Sequence, residues 1–427
     1  MGLAILLGFF GFCVAIGVPV AFSLGIAAVA AFYYEGLPLL IAFQRILSGI
    51  SVFSLLAIPF FIFAGELMLH GGIAARLVRL ASAAVGSIRG GVGQVVVFSS
   101  MLFGGISGSA VADVSALGSI LIPTMKEKGY HSDYAVNVTV TSSIAGILIP
   151  PSHNMILYAV AAGGGISVTK LFMAGVVPGV VMCICLAVAA YFVAVRRNYP
   201  PEAFPGFQVL LIAAISAIPG LFTAIIIVGG VLSGVFTVTE SGAMGVIYAL
   251  AVTAIGYGSL SWPAFILSVT RAVRTTATVM ILVGCATAFG YMLALYRVPE
   301  GLSNLVHAMS DNPIVILLII NVFLLGLGMI MDMAALILIC TPIFLPLVKS
   351  FGMDPIQFGM ILMMNLGLGL CTPPVGACLF LGCAIGHVRI ETVMRTIWPF
   401  YAAILLALAL TTYIPAVSLT LPRLLQQ

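Results

Sequence analysis

Charged side chains are scarce in this 427-residue chain, which has 16 Lys and Arg and 12 Asp and Glu residues, 7% of the sequence. Soluble domains carry about 25% charged residues, so a soluble globular protein is excluded. Long polar tracts are also missing, which excludes an intrinsically disordered protein. Hydrophobic residues make up 62% of the sequence and form stretches long enough to cross a bilayer. The chain is therefore predicted to be an all-α polytopic membrane protein.

Several functional motifs are absent as well. The sequence lacks the two-residue alternation of transmembrane β-strands, a phosphate-binding P-loop and an HExxH zinc motif. Its eight cysteines lie in apolar segments without paired spacing, so they indicate neither a metal site nor a disulfide framework. The sequence also lacks a run of basic residues, so nothing in it indicates a nucleic-acid partner. Because no nucleophile–base pair or metal-binding set is visible, the chain is predicted not to be an enzyme.

Two apolar segments differ from ordinary membrane spans in the charges that flank them. The segment 91–125 has Arg89 before it and Lys126 and Lys128 after it, and basic residues in short loops tend to stay in the cytoplasm. Both ends therefore belong on one side, which indicates a re-entrant helical hairpin or a pair of spans. The segment 313–347 is predicted to be a second hairpin, opening outward. Twelve or more ordinary spans remain the alternative.

Ten other apolar segments are candidate spans. If the first hairpin opens to the cytoplasm, 11 of the 16 basic residues fall inside, and both termini lie outside. Arg271 and Arg274 are then predicted to lie in a cytoplasmic loop. The apolar start at Gly2 lacks the basic residues of a signal peptide and is predicted to be a retained helix. The candidate spans are residues 2–17, 20–34, 50–70, 134–160, 171–195, 209–232, 240–259, 275–295, 356–386 and 398–420.

The two halves of the chain share landmarks at a constant shift of 223 residues. Upstream of these landmarks, a four-residue slip pairs Asp113 with Asp332. The first half has an odd number of spans, so the second half must enter the membrane upside down, as in many secondary transporters. The matching pairs are Pro123 with Pro346, Gly129 with Gly352, Gly146 with Gly369, and Pro150–Pro151 with Pro373–Pro374.

This repeat predicts a domain organisation of two inverted units, residues 1–208 and 209–427. Each unit contains scaffold helices, one hairpin and one broken helix. The hairpins are the segments 91–125 and 313–347. The broken helices are residues 134–160 and 356–386, because each contains a Pro–Pro pair that removes backbone donors and frees carbonyl groups one turn earlier.

Oxygen-rich helix breaks are the candidate binding chemistry. The first hairpin contains GGISGSAVAD, whose glycines disfavour a helix and whose Ser107 and Ser109 supply hydroxyl oxygens. Irregular backbone at membrane depth survives where it lines a protein-enclosed cavity, and free carbonyls at half-helix ends coordinate Na⁺ in transporters. Close packing of small residues in the hairpin, and simple kinking of the Pro–Pro helices, are the alternatives.

Polar side chains at membrane depth are the other candidates. Intramembrane acids are functional candidates, and Asp332, at the second hairpin's predicted tip, is the best cation ligand. Asp113 is predicted either to bind a cation or to accept backbone N–H bonds, and Glu240 to cap a helix after Thr237. A fourth acid, Glu66, lies near a helix end and is expected to be half solvated. His153 and Asn154 follow the IPPS segment, where they are either substrate contacts or structural residues.

These motifs resemble the large membrane subunit of tripartite ATP-independent periplasmic (TRAP) transporters over essentially the whole chain. The pieces that carry the resemblance are GGISGSAVAD, GSILIPTMKEKGY, ILIPPS, LFMAGVVPG, GVFTVTESGA, GMIMD and TPP. The resemblance implies an elevator-type fold in the bacterial inner membrane, driven by a Na⁺ gradient. It also implies two partners, a periplasmic substrate-binding protein that delivers an organic acid and a small four-helix membrane subunit. No such subunit is expected to be fused here, because the chain starts at the first repeat.

The resemblance also implies site residues. His153 and Asn154 depart from the commoner apolar pattern after IPPS, which favours a hydroxyl-rich acid such as sialic acid over a C4-dicarboxylate. One Na⁺ site would comprise Ser107, Ser109, Gly146, Ile149 and Pro151, and the other Gly328, Asp332, Thr372 and Val375. The substrate contacts would be Ser109, His153, Asn154 and Thr372.

The leading hypothesis is therefore a subunit of a Na⁺-coupled, binding-protein-dependent importer of an organic acid. The alternative is a stand-alone divalent-anion/sodium symporter that needs no binding protein. A channel would line one continuous polar path, whereas the polar residues here gather in two patches. A membrane enzyme is the least favoured class.

Overall fold

The computed structural model describes residues 1–310 and 312–425, and all regular secondary structure in these two ranges is helical. The prediction of an all-α fold is confirmed. Short turns connect the helices of the first half. These helices are α1 (Gly2–Ala15), α2 (Val20–Tyr34), α3 (Leu39–Ile50), α4 (Ala57–His70), α5 (Ile73–Val85), α6 (Gly91–Ser107), α7 (Ala110–Glu127), α8 (Ser132–Ser142), α9 (Ala145–Leu148), α10 (His153–Ala161) and α11 (Val168–Arg196).

The second half follows a similar order, but one helix stands in the place of α3 and α4 and another in the place of α8 and α9. Residues 311, 426 and 427 of the predicted second unit lie outside the described residues. The helices are α12 (Phe207–Leu232), α13 (Val238–Ala251), α14 (Trp262–Leu295), α15 (Val298–Met309), α16 (Pro313–Gly328), α17 (Met333–Ser350), α18 (Pro355–Leu370), α19 (Ala377–Gly386), α20 (Ile390–Met394), α21 (Trp398–Tyr413) and α22 (Pro415–Leu424).

The bounds of α7 and α17 are related by the shift of 223 residues. Moving α7 by this shift gives residues 333–350, which are the bounds of α17. Ser109 is the N-cap of α7 and Asp332 is the N-cap of α17, so these two residues are equivalent by position. The pairing of Asp113 with Asp332 through a four-residue slip was therefore wrong. The division into units 1–208 and 209–427 stays a prediction.

Length and hydropathy separate the helices into classes. Among the described residues, six helices are long and apolar enough to cross a membrane, or up to eight if each bent pair is one span. The first bent pair is Ser132–Leu148 with His153–Ala161, which turn by 54° at the predicted first break. The second is α21 with α22, bent by 62°, so the predicted span 398–420 is not one straight helix.

One predicted boundary is corrected by the structure. The span expected at 275–295 is the C-terminal part of α14, a helix of 34 residues that begins at Trp262. Arg271 and Arg274 are therefore not loop residues but lie inside this helix. No glycine or proline interrupts the helix between Ala264 and Val283, which is why it continues through the two arginines.

The two hairpins, α6–α7 and α16–α17, pack crosswise with the broken helices. Each hairpin contacts the first segment of the broken helix in its own half, through α6 with α9 and α16 with α18. Its second helix also contacts the far segment of the other half's broken helix, through α7 with α19 and α10 with α17. This exchange brings both hairpin tips and both helix breaks toward a common centre.

An ion pair links the N-terminal end of α8 to the C-terminal end of α11. The Arg197 guanidinium donates two hydrogen bonds to the Asp133 carboxylate, at 2.9 and 2.7 Å. The bidentate contact raises the pKa of Arg197. Because both side chains are partly buried, the pair joins the end of α11 to the start of α8 more strongly than an exposed pair would.

Candidate functional site

The tip of the first hairpin is a tight turn around Gly108. This glycine has a φ of +62°, a left-handed conformation that side chains with a Cβ rarely adopt. Ser109 then caps α7, because its Oγ accepts a hydrogen bond from the Ala112 backbone N–H at 3.4 Å. The Ser107 Oγ lies 3.4 Å from both the nitrogen and the oxygen of the Ser109 backbone. Two hydroxyls and a backbone carbonyl therefore meet at this tip.

The same tip contacts the first helix break directly. A Cβ atom at Gly104 would lie 2.8 Å from the Gly146 Cα, and one at Gly108 would lie 2.8 Å from the Pro151 carbonyl oxygen. A Cβ at Gly146 would lie 3.5 Å from the Ser107 Oγ. The structure therefore brings the tip residues predicted for the first Na⁺ site together with Gly146 and Pro151. The Pro150–Pro151 peptide bond at this break is cis.

Ile149 belongs to the same neighbourhood. It ends α9 in an extended conformation, and its side chain would lie 3.5 Å from a Cβ at Gly105. The carboxyl ends of α6 and α9 therefore converge at this point, and helix C-termini carry partial negative charge. Hydroxyl oxygens and helix C-termini are the environment that Na⁺ prefers in transporters. All five residues predicted for the first Na⁺ site lie in this one cluster, and their ligand roles stay a prediction.

The second hairpin meets the second break in a similar way. A Cβ at Gly369 would collide with the Gly328 backbone, so the two helices touch there. The Val375 N–H donates a hydrogen bond to the Met329 carbonyl at 3.0 Å, and the Thr372 hydroxyl donates to the Leu368 carbonyl at 2.7 Å. The structure therefore brings Gly328, Thr372 and Val375 into one region.

Asp332 occupies a different side of the second tip. Its Oδ2 accepts a hydrogen bond from the Ala334 N–H at 3.0 Å, so the carboxylate caps α17. The side chain faces a cavity that none of Gly328, Thr372 and Val375 lines. Asp332 therefore has a structural role as a helix cap, and its predicted role as a Na⁺ ligand stays a prediction.

A cavity of about 370 Å³ lies between the two hairpin tips, and we call it the tip cavity. The N-terminal turns of α7, α10 and α17 line it, and helix N-termini attract anions because their backbone N–H groups are unpaired. The predicted substrate residue Thr372 lies outside this lining. The polar lining residues are Ser109, His153, Asn154, Arg274, Thr275, Thr278 and Asp332.

A second cleft, of about 330 Å³, adjoins the tip cavity, and we call it the arm cleft. It lies between α4, the first hairpin and α14, and it shares Ser109, Val111, His153 and Thr275 with the tip cavity. The two spaces therefore meet at the tip of the first hairpin. The polar residues of the arm cleft are Glu66, Ser107, Ser109, Ser115, His153, Arg271 and Thr275.

The two arginines of α14 are functional candidates that the sequence reading missed. Arg274 faces the tip cavity and Arg271 faces the arm cleft. A signal was present, because Arg271, Arg274, Thr275 and Thr278 follow the i, i+3, i+4, i+7 spacing of one helix face. These four residues form a polar stripe that points toward both cavities.

Two other acids lie in apolar segments, and only one of them has a local hydrogen-bond partner. Glu240 forms a capping box with Thr237, whose backbone N–H donates to the Glu240 Oε2 at 2.8 Å, so the prediction of a helix cap is confirmed. Asp113 is buried, and neither carboxylate oxygen has a hydrogen-bond partner in the described structure. Of the two roles predicted for Asp113, accepting backbone N–H bonds is therefore wrong, and binding a cation stays a prediction.

The turn at Gly108 gives a stability prediction. We expect Gly108→Ala to lower the free energy of unfolding by more than Gly129→Ala. Both glycines have positive φ, which costs about 1–2 kcal/mol with a Cβ, but a Cβ at Gly129 would meet nothing within 4 Å. Thermal unfolding of the two purified variants measures the difference, and equal midpoints would contradict the close contact with Pro151.

Comparisons with known proteins agree with this architecture. Residues 7–417 match the family described as "Tripartite ATP-independent periplasmic transporter, DctM component". The sialic acid TRAP transporter large permease protein SiaM of Vibrio cholerae is 38% identical over 96% of this chain and 95% of its own. The C4-dicarboxylate TRAP transporter large permease protein DctM of Rhodobacter capsulatus is 34% identical over 97% of this chain and 98% of its own.

A solved structure shares the fold at low sequence identity. The YdaH transporter of Alcanivorax borkumensis superposes with a TM-score of 0.64 at 15% identity, covering 91% of this chain and 89% of that one. The family match and the apolar helices make the chain a multi-pass protein of the inner membrane. The resemblance inferred from the motifs is confirmed, and the chain belongs to the DctM family of large permease subunits of tripartite ATP-independent periplasmic transporters.

Proposed function

We propose that this chain is the large transmembrane subunit of a Na⁺-coupled, binding-protein-dependent transporter that imports an organic acid by an elevator mechanism. The tip cavity is the observation that carries the proposal. The N-terminal turns of α7 and α10 and the Arg274 guanidinium line it and favour a negatively charged ligand, whereas the N-terminal turn of α17 is already capped by Asp332. A carboxylate is the anion that fits this set, with Ser109, His153 and Asn154 available to hydrogen-bond the rest of the molecule.

Na⁺ is the proposed coupling ion. The cluster at the first tip supplies hydroxyl and carbonyl oxygens, a hard-ligand set that suits this ion. Ser107, Ser109, Gly146, Ile149 and Pro151 would hold one ion. The second would bind at Gly328, Thr372 and Val375, with Asp332 contributing its carboxylate. Binding there would order both tips and offset the partial negative charge of the helix C-termini.

The crosswise packing of hairpins and broken helices supports an elevator mechanism. The exchanged contacts of α7 with α19 and α10 with α17 tie both halves into one unit. Such a unit carries both tips, and the part of the tip cavity that they line, with it when it moves. The long helix α14 borders the cavity and packs against α2, α3 and α4, so it belongs to the scaffold. An empty unit with uncompensated carbonyls and Asp332 would cross the bilayer less readily than a loaded one.

Two protein partners complete the proposed transporter. Members of this family work with a small permease and a periplasmic binding protein. We propose that the outer faces of residues 1–40 and 209–260 contact either the small four-helix subunit or lipid. Large apolar side chains are exposed on these segments, including Phe12, Tyr33 and Ile225.

The substrate is proposed to be sialic acid or a similar sugar acid. The relatives named above transport sialic acid and C4-dicarboxylates, so both classes are candidates. His153 and Asn154 lie in the lining of the tip cavity, where they can bond the hydroxyl groups of a sugar acid. A C4-dicarboxylate has fewer groups for them to bond.

Uptake into proteoliposomes tests the proposal. Vesicles would contain this chain and its small membrane partner, with labelled sialic acid or labelled succinate outside. We expect uptake of sialic acid only when an inward Na⁺ gradient and the cognate binding protein are both present. Uptake that ignores the binding protein would favour the stand-alone divalent-anion/sodium symporter instead. Uptake without a Na⁺ gradient would refute the coupling ion.

A further inference from the structure

The arm cleft contains an acid that the proposed carboxylate site does not use. Glu66 lies in the last turn of α4, and its side chain is 17% exposed. Its Oε2 is buried and has no hydrogen-bond partner in the described structure. A buried carboxylate oxygen without a donor is costly, so this group has acceptor capacity that a ligand can satisfy.

Two basic side chains lie near Glu66: His70 makes a long contact with its carboxylate, which is an ion pair when His70 is protonated, and Arg271 faces the same cleft. The His70 Nδ1 is 3.5 Å from the Glu66 Oε2, but it also lies 3.0 Å from the Glu66 backbone carbonyl and 3.3 Å from the Ser268 hydroxyl. Arg271 faces the same cleft, yet it forms no ion pair within 4.0 Å of Glu66. The arm cleft therefore contains one acid and one arginine, which offset each other, together with several hydroxyl groups.

The tip cavity has a different balance of charge. Its acid, Asp332, is engaged by the N-terminus of α17, whereas Arg274 has no salt bridge in the described structure. A single guanidinium is thus left for a ligand on this side of Ser109 and His153. Because the two spaces share these residues, one elongated molecule can occupy both.

We propose that Glu66 is a specificity-determining residue that accepts hydrogen bonds from the uncharged end of the substrate. This inference rests on the proposed function and narrows its substrate class to a monocarboxylate with a hydroxyl- or amide-bearing tail. The carboxylate lies on the Arg274 side, and the tail donates hydrogen bonds to Glu66 in the arm cleft. A second carboxylate at the far end finds no net positive charge in the arm cleft, because Glu66 offsets Arg271, and it is repelled where it lies close to Glu66.

Two acids of equal length test this inference. D-gluconate and D-glucarate have the same six carbons, but glucarate has a carboxylate where gluconate has its terminal hydroxyl. Binding would be measured by thermal-shift titration of the chain with its small membrane partner, in nanodiscs and saturating Na⁺. We expect the wild type to bind gluconate at least tenfold more tightly than glucarate.

Two variants with opposite effects sharpen the test. Glu66→Gln should narrow the preference to less than threefold, because the amide still accepts a hydrogen bond but no longer repels a carboxylate. Arg271→Gln should widen it, because the Glu66 charge is then unopposed. Glu127→Gln is the matched control, since Glu127 is an exposed acid in the last turn of α7, and it should leave the preference unchanged.

The possible outcomes separate the two proposals. If neither acid binds the wild type, the organic-acid site itself is wrong. If glucarate binds as tightly as gluconate, the tip cavity keeps its proposed role but the monocarboxylate inference fails. A wild-type preference that survives unchanged in both variants would overturn the role of Glu66. If one variant does not fold, the gluconate-to-glucarate preference of the wild type and of the other variant still tests the role of Glu66.

Discussion

Replacing Arg274 by glutamine is expected to raise the substrate concentration for half-maximal uptake about 100-fold, because a hydrogen bond to a charged group contributes about 1.5–3 kcal/mol and each 1.4 kcal/mol is tenfold. Arg274 is the one arginine that faces the tip cavity among the described residues. Its planar guanidinium can donate two parallel hydrogen bonds to a carboxylate. Glutamine retains a donor but loses the charge and the second bond. Uptake by the reconstituted transporter, measured against substrate concentration, gives the comparison.

Two companion variants separate charge from geometry. Arg274→Lys keeps the positive charge but not the planar fork, so it should lose about tenfold in apparent affinity. Arg389→Gln removes a distant arginine, exposed near the start of α20 and outside both cavities, and should change nothing. An unchanged concentration dependence in Arg274→Gln would show that the carboxylate binds elsewhere, and the helix N-termini alone would then have to account for anion binding.

The parts of the fold that depend on local sequence were predictable. Glycine and proline weaken a helix, so GGISGS and the two Pro–Pro pairs identified the first hairpin tip and the two helix breaks, although single prolines such as Pro178 and Pro219 lie inside continuous helices. The shift of 223 residues found in the sequence also relates the bounds of α7 and α17, a region where the sequence reading had placed a four-residue slip. These features follow from backbone chemistry and need no knowledge of tertiary contacts.

The arginines of the site were not predictable by the same rules. Hydropathy and the charge rule assign a loop to any stretch with two arginines, and Arg271 and Arg274 fell into one. The structure keeps them in α14 because their neighbours on the sequence favour a helix and because the cavities solvate their side chains. Whether an arginine inside a helix faces a cavity is a tertiary property, and only the polar spacing along α14 indicated it.

The polar partners of individual side chains were equally dependent on packing. Thr372 was expected beside the substrate, but its hydroxyl bonds the Leu368 carbonyl and lies outside the tip cavity. Glu66 was expected to be half solvated, whereas its Oε2 is buried beside the arm cleft. In both cases the residue type and its helix were evident from the sequence. The side that each side chain faces was not, because it depends on the crosswise packing of the two halves.

Asp332→Ala is expected to raise the Na⁺ concentration for half-maximal uptake by at least tenfold. Two unit charges 4 Å apart interact by about 4 kcal/mol at an effective dielectric constant of 20, and desolvation of both groups offsets part of this. The carboxylate also caps α17, and an N-cap contributes about 1 kcal/mol to stability. Alanine therefore removes two interactions at once, and a single variant cannot tell them apart.

Asparagine separates the two roles of Asp332. Asn is as good an N-cap as Asp, so Asp332→Asn should keep the stability of α17 while losing the negative charge. Asp354 provides the matched control, because its Oδ1 caps α18 through the Ile356 N–H at 2.8 Å and it lies outside the tip cavity. Asp354→Ala should lower the thermal midpoint without changing the Na⁺ dependence.

The pattern across these variants identifies what Asp332 does. A cation ligand predicts that Asp332→Asn and Asp332→Ala lose Na⁺ dependence alike, because both lack the carboxylate. A helix cap predicts that asparagine behaves as the wild type and that alanine behaves as Asp354→Ala. The second outcome would leave the second ion to the oxygens at Gly328, Thr372 and Val375. Asp332 and Ser109 occupy the same position of the repeat. If Asp332 binds Na⁺, the first half uses a hydroxyl and the second a carboxylate at this position. If Asp332 is only a helix cap, the two ion sites differ in whether this position contributes a ligand at all.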